Sequence, residues 1–287
     1  MKKIYKILLL VSLIILLVLY FINSSFIINS LLDYTKLFYT KLFPSSFIFF
    51  VFSTLLIDYK ILDLIPINIT SFYVFILSLI SGFSSGAKYT KDLLERNVIS
   101  KSEAKSILKF THNPNPLFII GSINTIINDK NICIKLLLSI ILSNLIIFIF
   151  SKKNKSITKN YSPYPKSFSS SLTNAIYSSL KTILLIYGTS IFFFLIANII
   201  NKYIYINTHL YVLIFGLFDL TKGIFSTSII NSITERLFFI LLFLSFGSLS
   251  IHMQVKSILN NNELYISFFK GRIIGFILTL IIFLLLY

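Results

Sequence analysis

Long apolar stretches alternate with short charged ones from one end of the chain to the other. Residues 7–32 carry no charged side chain, and neither do 42–57, 64–87, 183–200, 203–218, 237–251 and 273–287. About 20 apolar residues in a helix cross the ~30 Å hydrocarbon layer of a bilayer. The pattern therefore predicts an all-α, polytopic transmembrane protein. Ile7 to Ile22, preceded by Lys2, Lys3 and Lys6, is expected as a first, uncleaved membrane helix with its N-terminus in the cytoplasm. Leu42 to Ile57 opens with Phe43-Pro44, closes on Asp58 and reaches only ~24 Å at 1.5 Å per residue, so a re-entrant segment is expected there. Leu64 to Gly82 is a full span. Pro116 to Asn128 and Ile134 to Phe150 form a helical hairpin about the polar turn Asp129-Lys130-Asn131. Ile183 to Ile200 spans, Tyr203 to Phe218 and Leu237 to Ile251 are short, and Ile273 to Tyr287 ends the chain.

Two polar segments interrupt this pattern. The first, Ser81 to Ser122, holds nine charged side chains and ends in His112-Asn113-Pro114-Asn115-Pro116. Its two prolines remove backbone donors and fix φ, so no regular helix continues through them. Within it, Ser100-Lys101-Ser102-Glu103 has capping-box spacing, which predicts a short surface helix over Lys101 to Phe110. The second, Gly216 to Gln254, contains Asp219-Leu220-Thr221-Lys222-Gly223 and then Ser245 to Gln254. From Gly82 to Gly216 is 134 residues (216 − 82), and from Pro116 to Gly247 is 131 (247 − 116). Paired, interrupted hydrophobic segments at matching positions are the mark of internally repeated transporters, whose site lies between the repeats. The organisation expected is an N-terminal membrane helix and outer segment over residues 1–41, a first repeat over 42–151, a basic linker over 152–171 and a second repeat over 172–287. If 42–57 does not cross, the loops 88–109, 152–166 and 256–272 all lie in the cytoplasm, and the two repeats are inverted.

Charge adds to this picture without changing it. The chain has 26 basic and 10 acidic residues, a formal charge of +16, and all its basic residues but Arg96, Arg236 and Arg272 are lysine. The lysines border hydrophobic runs, as in loops between membrane helices. They do not form the Arg-rich, aromatic face of a nucleic-acid binder, so the expected partner is the lipid bilayer and not nucleic acid. Charged residues make up 13% of the chain against the ~25% of soluble domains, so no separate soluble domain is expected. Cys133 is the single cysteine, which rules out an intrachain disulfide.

Candidate chemistry gathers at the interruptions. Non-helical backbone at membrane depth is tolerated where it is buried in protein or lines a wet cavity, which makes Asn113 to Pro116 and Phe218 to Gly223 the expected cavity walls. Asn113 and Asn115 each offer donors and an acceptor. A helix starting at Pro116 leaves amides that favour an anion or a polar carbonyl, so a small polar or anionic solute is expected. Asp219 and Lys222, one turn apart, read either as an ion pair closing the break or as a coupling-ion site. His252, beside Gln254, reads as a proton relay or as a satisfied group at a helix end. No zinc-protease, serine-hydrolase or phosphate-loop motif is present, and His112, His209 and His252 have no carboxylate at a metal-ligand spacing. Neither an enzyme nor a cofactor is expected. Gly86-Ala87-Lys88 is read as close helix packing.

At these same residues the chain resembles the sporulation integral membrane protein YlbJ family, which carries a duplicated Gate, or nucleoside-recognition, domain. Ser81-Gly82-Phe83-Ser84-Ser85-Gly86-Ala87-Lys88 looks like the family's S-G-Y-P-x-G-A-K, with Ser84 in place of proline. Ile99-Ser100 with Glu103-Ala104, and then Asn113 to Phe118, resemble its IS-x-x-EA and N-x-x-x-P-L-F elements. Gly216 to Gly223 is similar to G-L-L-E-x-T-x-G, with Asp219 for Glu. Ser245 to Gln254, which includes Gly247, Ser250 and His252, is similar to S-F-G-G-L-S-x-H-x-Q, with Ser248 for Gly. With Leu42-Phe43-Pro44 the likeness runs from about residue 40 to 275. It implies a role in endospore formation, at the spore envelope or cortex, and a place in the bacterial cell membrane, whether of the forespore or the mother cell. It supplies no substrate. Two roles follow: a transporter-like gate for a small solute, or a membrane scaffold for other sporulation membrane proteins.

Overall fold

The computed structural model describes residues 2–59, 70–151 and 167–287. Most of the basic linker, including Pro163 and Pro165, and the start of the span expected from Leu64 lie outside them. Among the described residues every regular element is helical, and five runs are long and apolar enough to cross a membrane. The protein is an all-α, multi-pass membrane protein.

The chain opens with α1 (Lys2–Ile22) and α2 (Ser24–Leu37), separated only at Asn23, so the helix predicted over residues 7–22 hardly pauses at its end. A π-helical turn, Phe38–Leu42, leads into α3 (Phe43–Asp58), with Pro44 in the first turn, where its missing N–H costs nothing. The run Ser24–Leu42 and the helix that follows are bent by 51°. Next come α4 (Thr70–Ser81), α5 (Ser85–Glu95) and α6 (Lys101–Ile107). The capping box forms by half. Ser100 Oγ accepts from the Glu103 amide at 3.2 Å, while the Glu103 carboxylate turns to the Ser71 hydroxyl, also at 3.2 Å. A second π-helical stretch, Phe118–Ile123, runs into α7 (Asn124–Ile127) and then α8 (Lys130–Phe150), capped by Asp129.

The second half begins with α9 (Phe168–Tyr203), whose 36 residues extend ~54 Å, far beyond the expected span over 183–200. It is followed by α10 (Thr208–Phe218), α11 (Leu220–Ser226), α12 (Ile233–Phe246), α13 (Leu249–Leu259) and α14 (Asn262–Leu286). Two expectations are corrected here. The short piece over 237–251 belongs to a run of 27 residues, Ile233–Leu259, long enough to cross. The loop expected over 256–272 is helical except at Asn260 and Asn261, because Asn260 takes the left-handed conformation (φ 45°) that ends α13 and Asn261 caps α14.

α3 packs along α9, and α8 along α14. The apolar interior has two parts. One lies among α4–α8 and α10–α14, around Val74, Ile107, Leu136, Ile240 and Val255. The other lies among α2, α3 and α9, around Tyr34, Phe38, Phe50 and Phe194. The side chains of α1 face outward almost throughout, as those of a helix surrounded by acyl chains do. The breaks in the helices meet where the two parts of the interior adjoin.

Candidate functional site

At the second interruption the chain reverses at a single residue. Asp219 has extended backbone (φ −137°, ψ 123°) and caps α11, its Oδ1 accepting from the Lys222 amide at 2.9 Å. The reversal lays Gly223 against Gly216 so closely that a methyl group on Gly223 would collide with the Gly216 backbone. Glycine at 223 is thus what permits the turn, and glycine at 216 is what lets the Phe243 ring of α12 lie against α10. The other carboxylate oxygen, Oδ2, accepts from the Tyr34 hydroxyl at 3.0 Å and the Ser250 hydroxyl at 3.4 Å. Asp219 is buried, yet no Lys, Arg or His among the described residues forms an ion pair with it. The ion pair between Asp219 and Lys222 does not form. Lys222 presents its amide to the carboxylate, and its ammonium lies 5.8 Å from the centroid of the Phe194 ring.

Gly247 breaks the run from α12 to α13 with φ +91°, and Gly82 breaks that from α4 to α5 with φ +87°, a conformation glycine adopts without steric cost. Beyond Gly82, Ser84 is also left-handed (φ 65°) and donates to Gln254 Oε1 at 2.7 Å. Gln254 in turn donates to the Ser190 hydroxyl at 3.3 Å, tying the first break to α13 and α9. In the NPNP segment Asn115 donates to the Ile80 carbonyl at 3.0 Å, and its Oδ1 accepts from the Leu117 amide at 2.8 Å. The amides expected to stand free beyond Pro116 are therefore taken: the Phe118 and Ile119 amides also turn back, to the Asn115 carbonyl. Asn113 faces away from this group, donating to Ser78 at 2.9 Å and accepting from Asn144 at 2.9 Å.

Behind both breaks lies a cation that the sequence did not single out. Arg272 of α14 is buried at 1% exposure and donates to three carbonyl oxygens: Lys109 at 2.6 Å, Ser245 at 3.3 Å and His112 at 3.5 Å. It also reaches Asn144 Oδ1 at 3.3 Å. The backbone around the two breaks carries carbonyls that a regular helix would have paired, and one planar guanidinium serves both.

A cavity of about 60 Å³ opens between the breaks. Of the residues singled out in the sequence, Gly82, Asn115, Asp219, Thr221, Ser250 and Gln254 line it. The others stand apart from it. Ser81 accepts from the Tyr89 hydroxyl at 2.7 Å, and Gly86 lies tight against Thr111. Lys88 is buried, donating to Thr54 at 3.1 Å. Pro116 starts the half-helix behind Asn115, Gly223 supports the turn, and Ser245 and Gly247 shape the second break. His252 sits among Phe246, Tyr265, Phe268 and Phe269, bonded to the Phe246 carbonyl at 3.2 Å and the Tyr265 hydroxyl at 3.3 Å. Sequence reasoning missed Ser190 and the aromatic walls Phe38, Phe43, Phe83 and Phe118. Both π-helical turns contribute to those walls, a placement common at functional sites.

These features define a multi-pass helical membrane protein whose two helix interruptions meet around a largely apolar cavity that carries a few polar side chains. Part of the chain is similar to a protein of Bacillus subtilis (strain 168), the sporulation integral membrane protein YlbJ, at 34% identity over 92 residues. The match covers 28% of this chain and 22% of that protein's length. No family model matches the chain, and no solved structure does.

Proposed function

We propose that this is an integral membrane protein of endospore formation that holds and passes a small polar solute through the cavity between its two interruptions. The setting comes from the name of the relative in Bacillus subtilis. The cavity carries the rest: Gly82 and Asn115 reach it from the first interruption, and Asp219, Thr221, Ser250 and Gln254 from the second. Broken helices that bring polar groups to one place from two separated segments are the arrangement of transporter sites.

The two halves are read as inverted repeats carrying a Gate-like domain each. In each half a helix, a break and a second helix (α4 to α5, α10 to α11) are followed by another broken run (α6 to α7, α12 to α13) and one long helix (α8, α14). The packing of α3 on α9 and of α8 on α14 fits such a relation. Catalysis is no part of this reading.

Single alanine substitutions at Asn115, Asp219 and Gln254, all on the cavity wall, test it, with heat-resistant spores counted against the amount of protein in the membrane. Loss of spores at normal abundance supports a working site. Unchanged sporulation removes it and turns attention to a scaffold role for the loop lysines.

A further inference from the structure

Asp219 is the only ionisable residue among the described residues that line the cavity. The cations that could have balanced it are engaged elsewhere: Lys222 over Phe194, Lys88 with Thr54, Arg272 with backbone carbonyls. A carboxylate buried without a cationic partner is costly, and a cation brought beside it would lower that cost. The features that would welcome an anion are already used. The Leu117 amide is capped by Asn115, the Lys222 amide by Asp219 itself and the Ile251 amide by Ser248. The walls, Phe38, Phe43, Phe83 and Phe118, present four aromatic rings, and aromatic faces attract cations and not anions.

We infer that the solute carries a small organic ammonium group, whose positive charge pairs with Asp219 and lies against the phenylalanine walls. This rests on the solute-binding reading above and takes the solute, expected from the sequence to be small and polar or anionic, to be cationic. The cavity of about 60 Å³ has room for roughly four water-sized groups at ~15 Å³ each, enough for an ammonium with a short carbon substituent. The carboxylate already accepts from the Lys222 amide and from the hydroxyls of Tyr34, Ser190 and Ser250, so an ammonium N–H would take the place of one of these rotatable hydroxyls.

The test is equilibrium dialysis of three radiolabelled probes, methylammonium, acetamide and acetate, against the full-length protein in detergent micelles. Saturable binding of methylammonium is expected, at least tenfold weaker in Asp219→Asn, retained in Asp219→Glu, and absent for acetate. Methylammonium that fails to bind, or binds Asp219→Asn as well as the wild type, overturns the inference. Should Asp219→Asn not accumulate, the wild type decides: acetate binding as tightly as methylammonium overturns it equally. Acetamide binding that is lost in a cavity-filling Ser190→Phe variant, with no methylammonium binding, leaves the solute reading standing and removes only the cation. If none of the three probes binds, both fall.

Discussion

The hydroxyl of Tyr34 donates to the carboxylate of Asp219 across 3.0 Å, joining residues 185 positions apart in the chain. This bond anchors the tip of the α10–α11 turn to α2. Hydrogen bonds to a charged group contribute about 1.5–3 kcal/mol. Tyr34→Phe keeps the ring that packs 4.8 Å from Phe194 and removes only the donor. The variant should fold and should melt earlier in detergent by a margin of that size. An unchanged melting temperature would mean that the carboxylate does not depend on Tyr34.

Arg272 sets a second expectation. Arg272→Met leaves the carbonyls of Lys109 and Ser245 without the guanidinium, at roughly 1–3 kcal/mol for each group left buried and unpaired, while that of His112 keeps the Asn144 amide at 3.0 Å. Membrane abundance and melting temperature should both fall sharply. Arg272→Lys should recover only part of the loss, since an ammonium cannot reproduce the planar fork that reaches several carbonyls at once. Full recovery by lysine would show that charge alone is what the position needs.

The two glycines at the second turn differ from a glycine in open space. At Gly223 a methyl group meets the Gly216 backbone, whereas at Gly188, inside α9, nothing lies within 4 Å. Gly223→Ala should cost about 1–3 kcal/mol or more through forced separation of α10 and α11. Gly188→Ala should be neutral or stabilise by up to ~1 kcal/mol through helix propensity. Measuring the pair side by side by thermal unfolding separates close approach from a general intolerance of alanine.

The features legible in the sequence are those that act locally. Asp219 with Gly216 and Gly223, Gly82 and Gly247, and the cap at Ser100 announce themselves because a break needs a capping oxygen or a permissive backbone within a few residues. Arg272 could not be read the same way, because the carbonyls it serves lie at least 27 residues away and up to 163. Ser190 and Tyr34 were hidden for the same reason. The linker expected over 152–171 rests on its lysines with Pro163 and Pro165, and its last residues, 168–171, form the first turn of α9. In the structure Ser167 caps the helix, its Oγ accepting from the Ser170 amide at 3.2 Å. The anionic solute expected from the NPNP segment rested on amides that Asn115 itself occupies, a local capping bond that the proline pattern alone does not disclose.

The central claim is that the cavity is a passage and not a sealed polar seam, and accessibility measures this most directly. Cys133 is buried and is the single cysteine, so Cys133→Ser gives a background in which Ser250→Cys reports on the cavity alone. Ser139→Cys, buried on α8, serves as the control. In native membranes the cysteine at 250 should react with a small cationic methanethiosulfonate faster than with an anionic one, while that at 139 stays unreactive. If position 250 is as inert as position 139 to both reagents, the interruptions form a closed structural core and the account of a solute path is contradicted.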